Sequence, residues 1–246
     1  MQTVIRVTSL VLAALLFSTV ASATILKLSG KNLKIQMAPG DDLDIDGNGG
    51  VGELSVSVNE GVAEEFSGVQ NISVTGDDGA ENVCVADDVE VEGSLKVKAG
   101  DGDDEIYVSG VFGKNVSIDL GDGDDTHYEC DSSLFVGGNY KMKGGNGNDD
   151  FHWDQNIEVG KSMSIDSGAG VESNDDLIIH GSYDYEIAKT LKIKLAKDGG
   201  QTLTLENVMA GKLSASGGKG EDTYNDVGGN DFGSAKFKKI ENGVPE

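Results

Sequence analysis

The segment LGDGDDTHY (120–128) decides the fold, because similar segments occur at AGDGDDEIY (99–107) and GGNGNDDFH (144–152). Each follows a short stretch of alternating apolar and polar residues, turns at glycine and aspartate, and continues into another alternating stretch. Alternation with a period of two is typical of β-strands. Turn chemistry that returns at one offset is typical of a solenoid, whereas a sandwich has no reason to repeat it.

The repeat extends outward from this segment in both directions. An apolar residue at the centre of an alternating strand returns about every 22 residues. We therefore predict an all-β fold, a single-stranded right-handed parallel β-helix of about ten coils of about 22 residues, which occupies residues 24–246 as one domain. The central residues are Ile35, Val56, Val74, Val97, Ile118, Met142, Ile165, Ile193, Ala215 and Phe237.

The chain is strongly acidic, with 43 Asp and Glu against 19 Lys and Arg and a formal net charge of −24. Its only arginine, Arg6, lies in residues 1–23, which also hold an apolar run over 7–20 and the cleavage motif Ala21-Ser22-Ala23. This pattern predicts a signal peptide at 1–23 and a secreted product, either extracellular or periplasmic. No later apolar run is long enough to span a membrane after cleavage.

The charge also constrains the partners. A mature chain without arginine lacks the basic footprint that nucleic acid or anionic lipid requires. Acid-rich turns instead predict divalent cations as partners. Polysaccharides and other components of a cell surface or matrix are further candidates.

The Gly-Asp turns resemble the calcium-binding repeats of RTX proteins, whose nonapeptide is G-G-x-G-x-D-x-U-x. The segment 144–152 fits it in full, 99–107 lacks only the leading glycine, and 120–128 also has His127 at the apolar position. The resemblance covers about 99–152 and one corner of the coil, whereas RTX coils carry two nonapeptides per turn. It implies calcium ligation between coils by Asp101, Asp103, Asp104, Asp122, Asp124, Asp125, Asn146, Asn148 and Asp149.

Elementary electrostatics supports a cation at these turns. Ca²⁺ takes six to eight oxygen ligands at about 2.4 Å, and stacked Gly-Asp turns offer carboxylate, amide and carbonyl oxygens. Two carboxylates about 5 Å apart repel by about 3 kcal/mol at an effective dielectric constant near 20. Acidic corners in register therefore need counter-ions or extensive hydration, and solvated turns that keep the protein soluble are the alternative interpretation.

A second candidate calcium segment is DLDIDGNGGVGE (42–53). Its spacing satisfies the EF-hand pattern with Asp42, Asp44, Asp46, Gly47 and Glu53. Neither flank has a helical pattern, so an EF-hand is excluded and a calcium loop between two β-rungs is the remaining prediction.

The three histidines all fall on the strand that follows the Gly-Asp turn. If Tyr128, Phe151 and Trp153 point inward, the histidines and their acidic neighbours point outward. Such a cluster could bind Zn²⁺ or Cu²⁺, could serve as acid and base in polysaccharide cleavage, or could simply be a polar surface ladder. The candidates are His127, Glu129, His152, Asp154 and His180.

The two cysteines are predicted to be free thiols. Cys84 and Cys130 are about two coils apart, roughly 10 Å, which exceeds the limit of about 7 Å between the Cα atoms of a disulfide.

Two classes of function follow from the sequence. The first is an exported acidic β-helix that binds calcium at stacked Gly-Asp turns and has a structural or adhesion role at a cell surface or matrix. The alternative is a small secreted carbohydrate-active enzyme, a polysaccharide lyase or hydrolase, that uses His127, His152 and nearby carboxylates. The missing arginine favours the non-enzymatic class, because β-helical pectate-lyase-like enzymes typically place an arginine or a lysine beside calcium.

Overall fold

A computed structural model describes residues 23–128, 133–153, 156–169 and 176–243. Within these ranges the protein consists of β-strands joined by short turns. The described part of the chain contains no apolar helix of membrane-spanning length. The predicted signal peptide lies outside the described residues except for Ala23.

Five strands form the N-terminal region, namely β1 (Ile25–Ser29), β2 (Asn32–Gln36), β3 (Asp42–Gly47), β4 (Leu54–Val58) and β5 (Glu64–Phe66). The strands that follow are β6 (Asn71–Thr75), β7 (Asn82–Val85), β8 (Glu90–Val91), β9 (Leu95–Asp101), β10 (Glu105–Val108), β11 (Gly110–Phe112), β12 (Val116–Asp122), β13 (Thr126–Tyr128), β14 (Leu134–Val136), β15 (Tyr140–Asn146), β16 (Asp150–Trp153), β17 (Ile157–Val159), β18 (Met163–Gly168), β19 (Asp176–Lys194), β20 (Thr202–Ser216), β21 (Thr223–Gly228), β22 (Asp231–Phe232) and β23 (Ala235–Lys238).

The strands stack in parallel into a β-helix with three faces, which confirms the predicted fold class. Face 1 contains β2, β6, β9, β12, β15, β18, the ends of β19 and β20, and β23. Face 2 contains β3, β7, β10, β13, β16, the starts of β19 and β20, and β21. Face 3 contains β8, β11, β14, β17, the middles of β19 and β20, and β22.

Nine of the ten predicted central residues form one continuous column on face 1. Each is paired in register with the next, in the order Ile35, Val74, Val97, Ile118, Met142, Ile165, Ile193, Ala215, Phe237. The column spans neighbours 21 to 39 residues apart along the chain, so distant segments become adjacent strands. The predicted stacking principle is therefore correct.

The predicted number of about ten coils is too high, because the solenoid makes about six turns. Val56, the tenth predicted central residue, lies in β4, which pairs antiparallel with both β3 and β5. Strand β2 pairs directly with β6, so β4 and β5, which lie between them in the sequence, do not form a coil on face 1. Strands β1, β4 and β5, which form only antiparallel pairs, therefore make an irregular N-terminal end rather than additional coils.

The interior of the β-helix is a continuous apolar core filled by columns of like residues. Its largest fully buried side chains include Trp153, Tyr140, Phe112 and Phe151. Burying such rings contributes more hydrophobic stabilisation per residue than burying the aliphatic side chains around them.

Strand β13 has the opposite phase from the one that the sequence predicted. His127 is paired with the inward residues Ile106 and Phe151 and is fully buried, whereas Tyr128 is paired with Tyr107 and is half-buried on the outer side. A shift of one residue exchanges the two faces of a strand. The prediction that Tyr128 points inward and His127 outward is therefore wrong.

Two columns of glycine allow the coils to approach at the Gly-Asp turns. Gly121 has φ +122°, and a Cβ atom on it would lie 1.7 Å from the carbonyl oxygen of Gly100 in the preceding coil. Gly123 has φ +152°, and its Cβ would lie 1.9 Å from the carbonyl oxygen of Gly102. Glycine is required here both for the backbone conformation and because a backbone oxygen fills the space of the side chain.

We expect Gly121→Ala to destabilise the fold by about 3 kcal/mol or more, because it combines a left-handed backbone with a backbone clash. Gly228 is a matched control, since its φ is +119° and nothing lies within 4 Å of its Cβ position. Gly228→Ala should cost only about 1 kcal/mol. Urea unfolding of both variants measures the difference, and equal losses would show that close packing of the coils at this turn is not what requires glycine.

Candidate functional site

The structure aligns the predicted calcium ligands into three columns at the corner between faces 1 and 2. Asp101 is paired with Asp122, and Asp122 with Asn146. These residues are exposed, and the Asn146 side-chain amide donates to Asp122 Oδ1 over 2.7 Å. This first column is already partly compensated by its own asparagine.

The second column is also exposed and is hydrogen bonded to the backbone. Asp103 accepts from the backbone N–H of Asp124 over 2.9 Å, and Asp124 accepts from that of Asn148 over 2.8 Å. Each carboxylate thereby satisfies an N–H group of the next coil at a turn where the strand hydrogen bonds are interrupted. The local role of these acids is to hold adjacent turns in register.

The third column is buried, and we call it the inner acid column. It consists of Glu81, Asp104, Asp125 and Asp149, which are 1 to 2% exposed. Oδ1 of Asp104 accepts from the backbone N–H of Glu81 over 2.8 Å, Oδ1 of Asp125 from Asp104 over 2.9 Å, and Oδ1 of Asp149 from Asp125 over 3.2 Å. One oxygen of each aspartate is thus committed to the preceding coil.

The remaining oxygens of three of these acids lack compensation. Both side-chain oxygens of Glu81 and the Oδ2 atoms of Asp104 and Asp125 are buried and have no hydrogen-bond partner. Burial raises the pKa of Asp104 to about 8 and that of Asp125 to about 6, and it also raises the pKa of Glu81. A buried carboxylate that is ionised and uncompensated is costly, so these groups take up either protons or a cation.

The inner acid column offers two ways to remove this cost. The carboxyl group of Glu81 faces that of Asp104, and that of Asp125 faces that of Asp149, so a proton shared within each pair would supply the hydrogen bond that the ionised groups lack. A divalent cation at the same oxygens would replace that proton. Across residues 23–128, 133–153, 156–169 and 176–243, no group of three or more His, Cys, Asp or Glu side chains could hold a metal ion. A calcium ion would therefore need backbone carbonyls, amide oxygens or water to complete its shell.

Two buried acids at this corner, Glu81 and Asp222, were not predicted from the sequence. Glu81 directly precedes β7 at the offset that Asp104 has from β10. Asp222 belongs to GGKGEDTYN (217–225), a complete nonapeptide that could have been found by the same motif. Asp222 is fully buried, and its two oxygens accept from the backbone N–H groups of Gln201 over 3.1 Å and Gly218 over 2.9 Å. Burial still raises the pKa of Asp222, but both of its oxygens have hydrogen-bond donors in the protein.

The predicted N-terminal calcium loop is instead a strand. Asp42, Asp44 and Asp46 alternate along β3 and do not converge as the ligands of a loop would. Asp44 accepts from the Ser57 hydroxyl over 3.4 Å in the antiparallel partner strand β4. Burial and the neighbouring Asp88 raise the pKa of Asp46. The predicted loop geometry is therefore not formed over Asp42–Gly47, because the alternating pattern extends the sheet.

His127 is a core residue and not a surface ligand. Its Nδ1 donates to the carbonyl oxygen of Ile106 over 2.8 Å, and its Nε2 accepts from the Tyr140 hydroxyl over 3.0 Å. The Trp153 ring meets it edge-on at 5.5 Å between centroids. Burial lowers the pKa of His127 to about 4, so the imidazole is neutral at physiological pH. The prediction that His127 lies on the outer surface is wrong.

His152 lies on the opposite side of the same sheet from His127. Its Nε2 contacts Asp150 Oδ1 at 2.9 Å, and its ring packs on Tyr128 with centroids 5.1 Å apart. Tyr107 and Tyr128 continue this outer ladder with centroids 5.8 Å apart. His127 and His152 therefore cannot ligate one metal or share one substrate. Glu129, Asp154 and the side chain of His180 lie outside the described residues.

Cys84 forms no disulfide and lies on the outer side of β7, opposite Tyr107. Cys130 lies outside the described residues.

Comparisons of the chain with protein-family models, with curated proteins and with solved structures find no match. Its function is therefore inferred from its own geometry.

We expect the free energy of unfolding in the presence of a chelator to fall as the pH rises from about 6.5 to about 8. The folded pKa of Asp104 is raised, so the folded state retains a proton that the unfolded state has lost, and this stabilisation disappears as the pH approaches the folded value. One such proton gives a slope of about 1.4 kcal/mol per pH unit. His127 opposes this slope near pH 6.5, because its imidazole is then about half protonated in the unfolded state and neutral in the folded state, and this contribution fades by about pH 7.5.

Asp104→Asn is the control for this pH dependence, because the amide retains an oxygen acceptor for the Glu81 N–H and cannot titrate. Urea titrations at several pH values should show a shallower slope for the variant. A wild-type slope that Asp104→Asn leaves unchanged would mean that another group titrates.

We expect Tyr140→Phe to destabilise the fold by about 1 to 3 kcal/mol, because it leaves Nε2 of the buried His127 without its donor. Tyr107→Phe removes a hydroxyl that donates to Glu105 over 3.1 Å at the surface and should cost less than about 0.5 kcal/mol. Denaturant unfolding compares the two variants. Similar small losses would contradict a structural role for the His127–Tyr140 hydrogen bond.

Proposed function

We propose that the protein is an exported acidic β-helix scaffold that binds calcium at its Gly-Asp corner and has a structural or adhesion role at a cell surface or matrix. The inner acid column would provide the charged ligands. Calcium bound there would link successive coils along the axis of the β-helix and stiffen the molecule.

The observation that carries this proposal is the set of uncompensated buried carboxylate oxygens on Glu81, Asp104 and Asp125. A structural acid in such a place is normally neutralised by hydrogen bonds, as the two oxygens of Asp222 are. Where those hydrogen bonds are missing, Ca²⁺ offers the charge and the preference for oxygen that these atoms need. The two exposed acidic columns beside them raise the local cation concentration.

The enzyme alternative has less support. It required His127 and His152 to act on one substrate, but His127 is fully buried and hydrogen bonded at both nitrogens. An imidazole that cannot reach solvent cannot serve as a general acid or base for a polysaccharide. The scaffold function does not need either histidine.

We expect calcium to stabilise the wild type against urea in neutral buffer relative to chelator. Saturation to about 100 times the dissociation constant adds roughly 2.7 kcal/mol for each independent site. Magnesium at the same concentration should have a smaller effect. It requires a compact octahedral shell of ligands, which carboxylates stacked in successive coils do not form.

Two charge-matched variants locate the site. Asp104→Asn/Asp125→Asn removes two acids of the inner column and should abolish the calcium effect while it stabilises the protein in chelator. Asp101→Asn/Asp122→Asn removes two exposed acids of the same corner and should leave most of the effect. If calcium does not stabilise the wild type, the proposal is wrong, and if only the second variant loses the effect, the ligands are the exposed acids.

A further inference from the structure

Face 1 carries two outward columns of lysine that become visible only in the register of the coils. In the first column, lysine alternates strictly with serine over nine strands, in the order Lys34, Ser73, Lys96, Ser117, Lys141, Ser164, Lys192, Ser214, Lys236. All five lysines are exposed. We call this the lysine–serine column.

In the second outward column of face 1, aspartate rather than serine separates successive lysines along its central part. Along its central part it reads Lys98, Asp119, Lys143, Asp166, Lys194. Lys143 pairs with Asp119 at 3.3 Å, and Lys194 pairs with Asp166 at 2.8 Å. The two aspartates reduce the charge of these five positions to +1, and we call this the lysine–aspartate column.

Both patterns avoid placing like charges directly opposite each other on neighbouring strands, which is destabilising. The lysine–aspartate column shows that this chain can place an acid between lysines on this face. The lysine–serine column uses a neutral residue instead, so its ammonium groups are kept apart but stay uncompensated. Stability alone therefore does not account for serine in a protein with 43 acidic residues.

The charge of this face opposes that of the molecule. The outward positions of the two columns hold nine lysines and two aspartates, whereas the whole chain has a net charge of −24. At physiological ionic strength charges act over about 8 Å, so a ligand on this face senses mainly the lysines. Face 1 therefore attracts anions locally, although the protein as a whole is acidic.

The spacing of the lysine–serine column favours an extended anionic polysaccharide. Its ammonium groups recur every second strand, at about 9.6 Å along a straight line. In a flat, two-fold polyuronate chain each sugar is about as long as one strand spacing, and the carboxylates on one side recur at every second sugar. Nucleic-acid phosphates recur at a shorter interval than these lysines.

We propose that face 1 binds a linear polyuronate that lies along the axis of the β-helix, with its same-side carboxylates on Lys96, Lys141 and Lys192. The intervening serines Ser117 and Ser164 are half-buried and offer hydroxyl groups to the sugar. At the edge of this face lies a depression that is lined by Lys143, Lys194 and Lys197 together with Asp119 and Asp166. The site is separate from the inner acid column and does not require calcium.

The test measures binding of mannuronate-rich sodium alginate by isothermal titration calorimetry at low salt in the presence of a chelator, which keeps the calcium site out of the experiment. We expect the wild type to bind and Lys96→Ser/Lys141→Ser/Lys192→Ser to bind at least about tenfold more weakly. Serine is already the residue that neighbours each of these positions in the column, so the variant should fold. Urea unfolding checks that it does.

A charge-matched control is Lys31→Ser/Lys114→Ser/Lys161→Ser, which removes three exposed lysines in turns outside the two columns. It should bind within about twofold of the wild type. Ser117→Asp/Ser164→Asp keeps every lysine but converts the lysine–serine column into the pattern of the neighbouring column. It should weaken binding as strongly as the triple lysine variant.

Several results would overturn the proposal. Absence of alginate binding would do so, and so would equal losses in the two triple variants, because charge alone would then account for binding. Duplex DNA that binds as tightly as alginate would show a general polyanion surface, while uncharged dextran that binds equally would show that the lysines are irrelevant. Sedimentation that reveals self-association sensitive to the same lysines would assign the face to a second copy of the chain.

Discussion

The hydrogen bonds between successive coils hold each residue one strand spacing away from its counterpart in the next coil, and most features of the molecule depend on this fixed spacing. A residue type that returns with the sequence repeat becomes a column of like side chains about 4.8 Å apart. Apolar columns gain from such proximity, because they pack into one core. Polar and charged columns must be compensated, hydrated or interrupted.

The protein uses a different solution at each position around the coil. At the exposed part of the Gly-Asp corner, Asp103 and Asp124 accept backbone N–H groups of the next coil. On face 1, Asp119 and Asp166 alternate with lysine, and serine separates the lysines of the adjacent column. In the inner acid column the compensation is incomplete at Asp104 and Asp125. A proton or a cation at these two residues would remove the cost of burying their ionised carboxylates.

Two surfaces of opposite sign thus lie side by side on one β-helix. In the proposed function, calcium at the Gly-Asp corner links successive coils. On the proposed polyuronate face, the same strand spacing sets the distance between lysines that would match the carboxylates of a repeating ligand. Both functions need a long, regular and inextensible scaffold, and neither needs a catalytic group. The buried His127, held by Ile106 and Tyr140, contributes to the core instead.

The sequence alone determined the all-β architecture, the spacing of the coils and the position of the acidic corner. Glycine and aspartate mark each turn locally, and strand alternation is visible without any knowledge of neighbours, which is why nine of the ten central residues fall in one column. The sequence could not determine the phase of β13, because His127 and Tyr128 are both amphipathic and either can face inward. It also could not show that β4 is an antiparallel insertion, since a strand has the same alternation in either direction.

Only the tertiary structure decided which acids are buried and which lysines are neighbours. Asp103 and Asp104 are adjacent in the chain, yet one is exposed and the other is almost fully buried, because the corner turns between them. The alternation of lysine with serine is invisible along the chain, where the partners are about two dozen residues apart. It arises only when the coils are in register, because contacts across a β-helix are set by the hydrogen bonds between strands and not by sequence order.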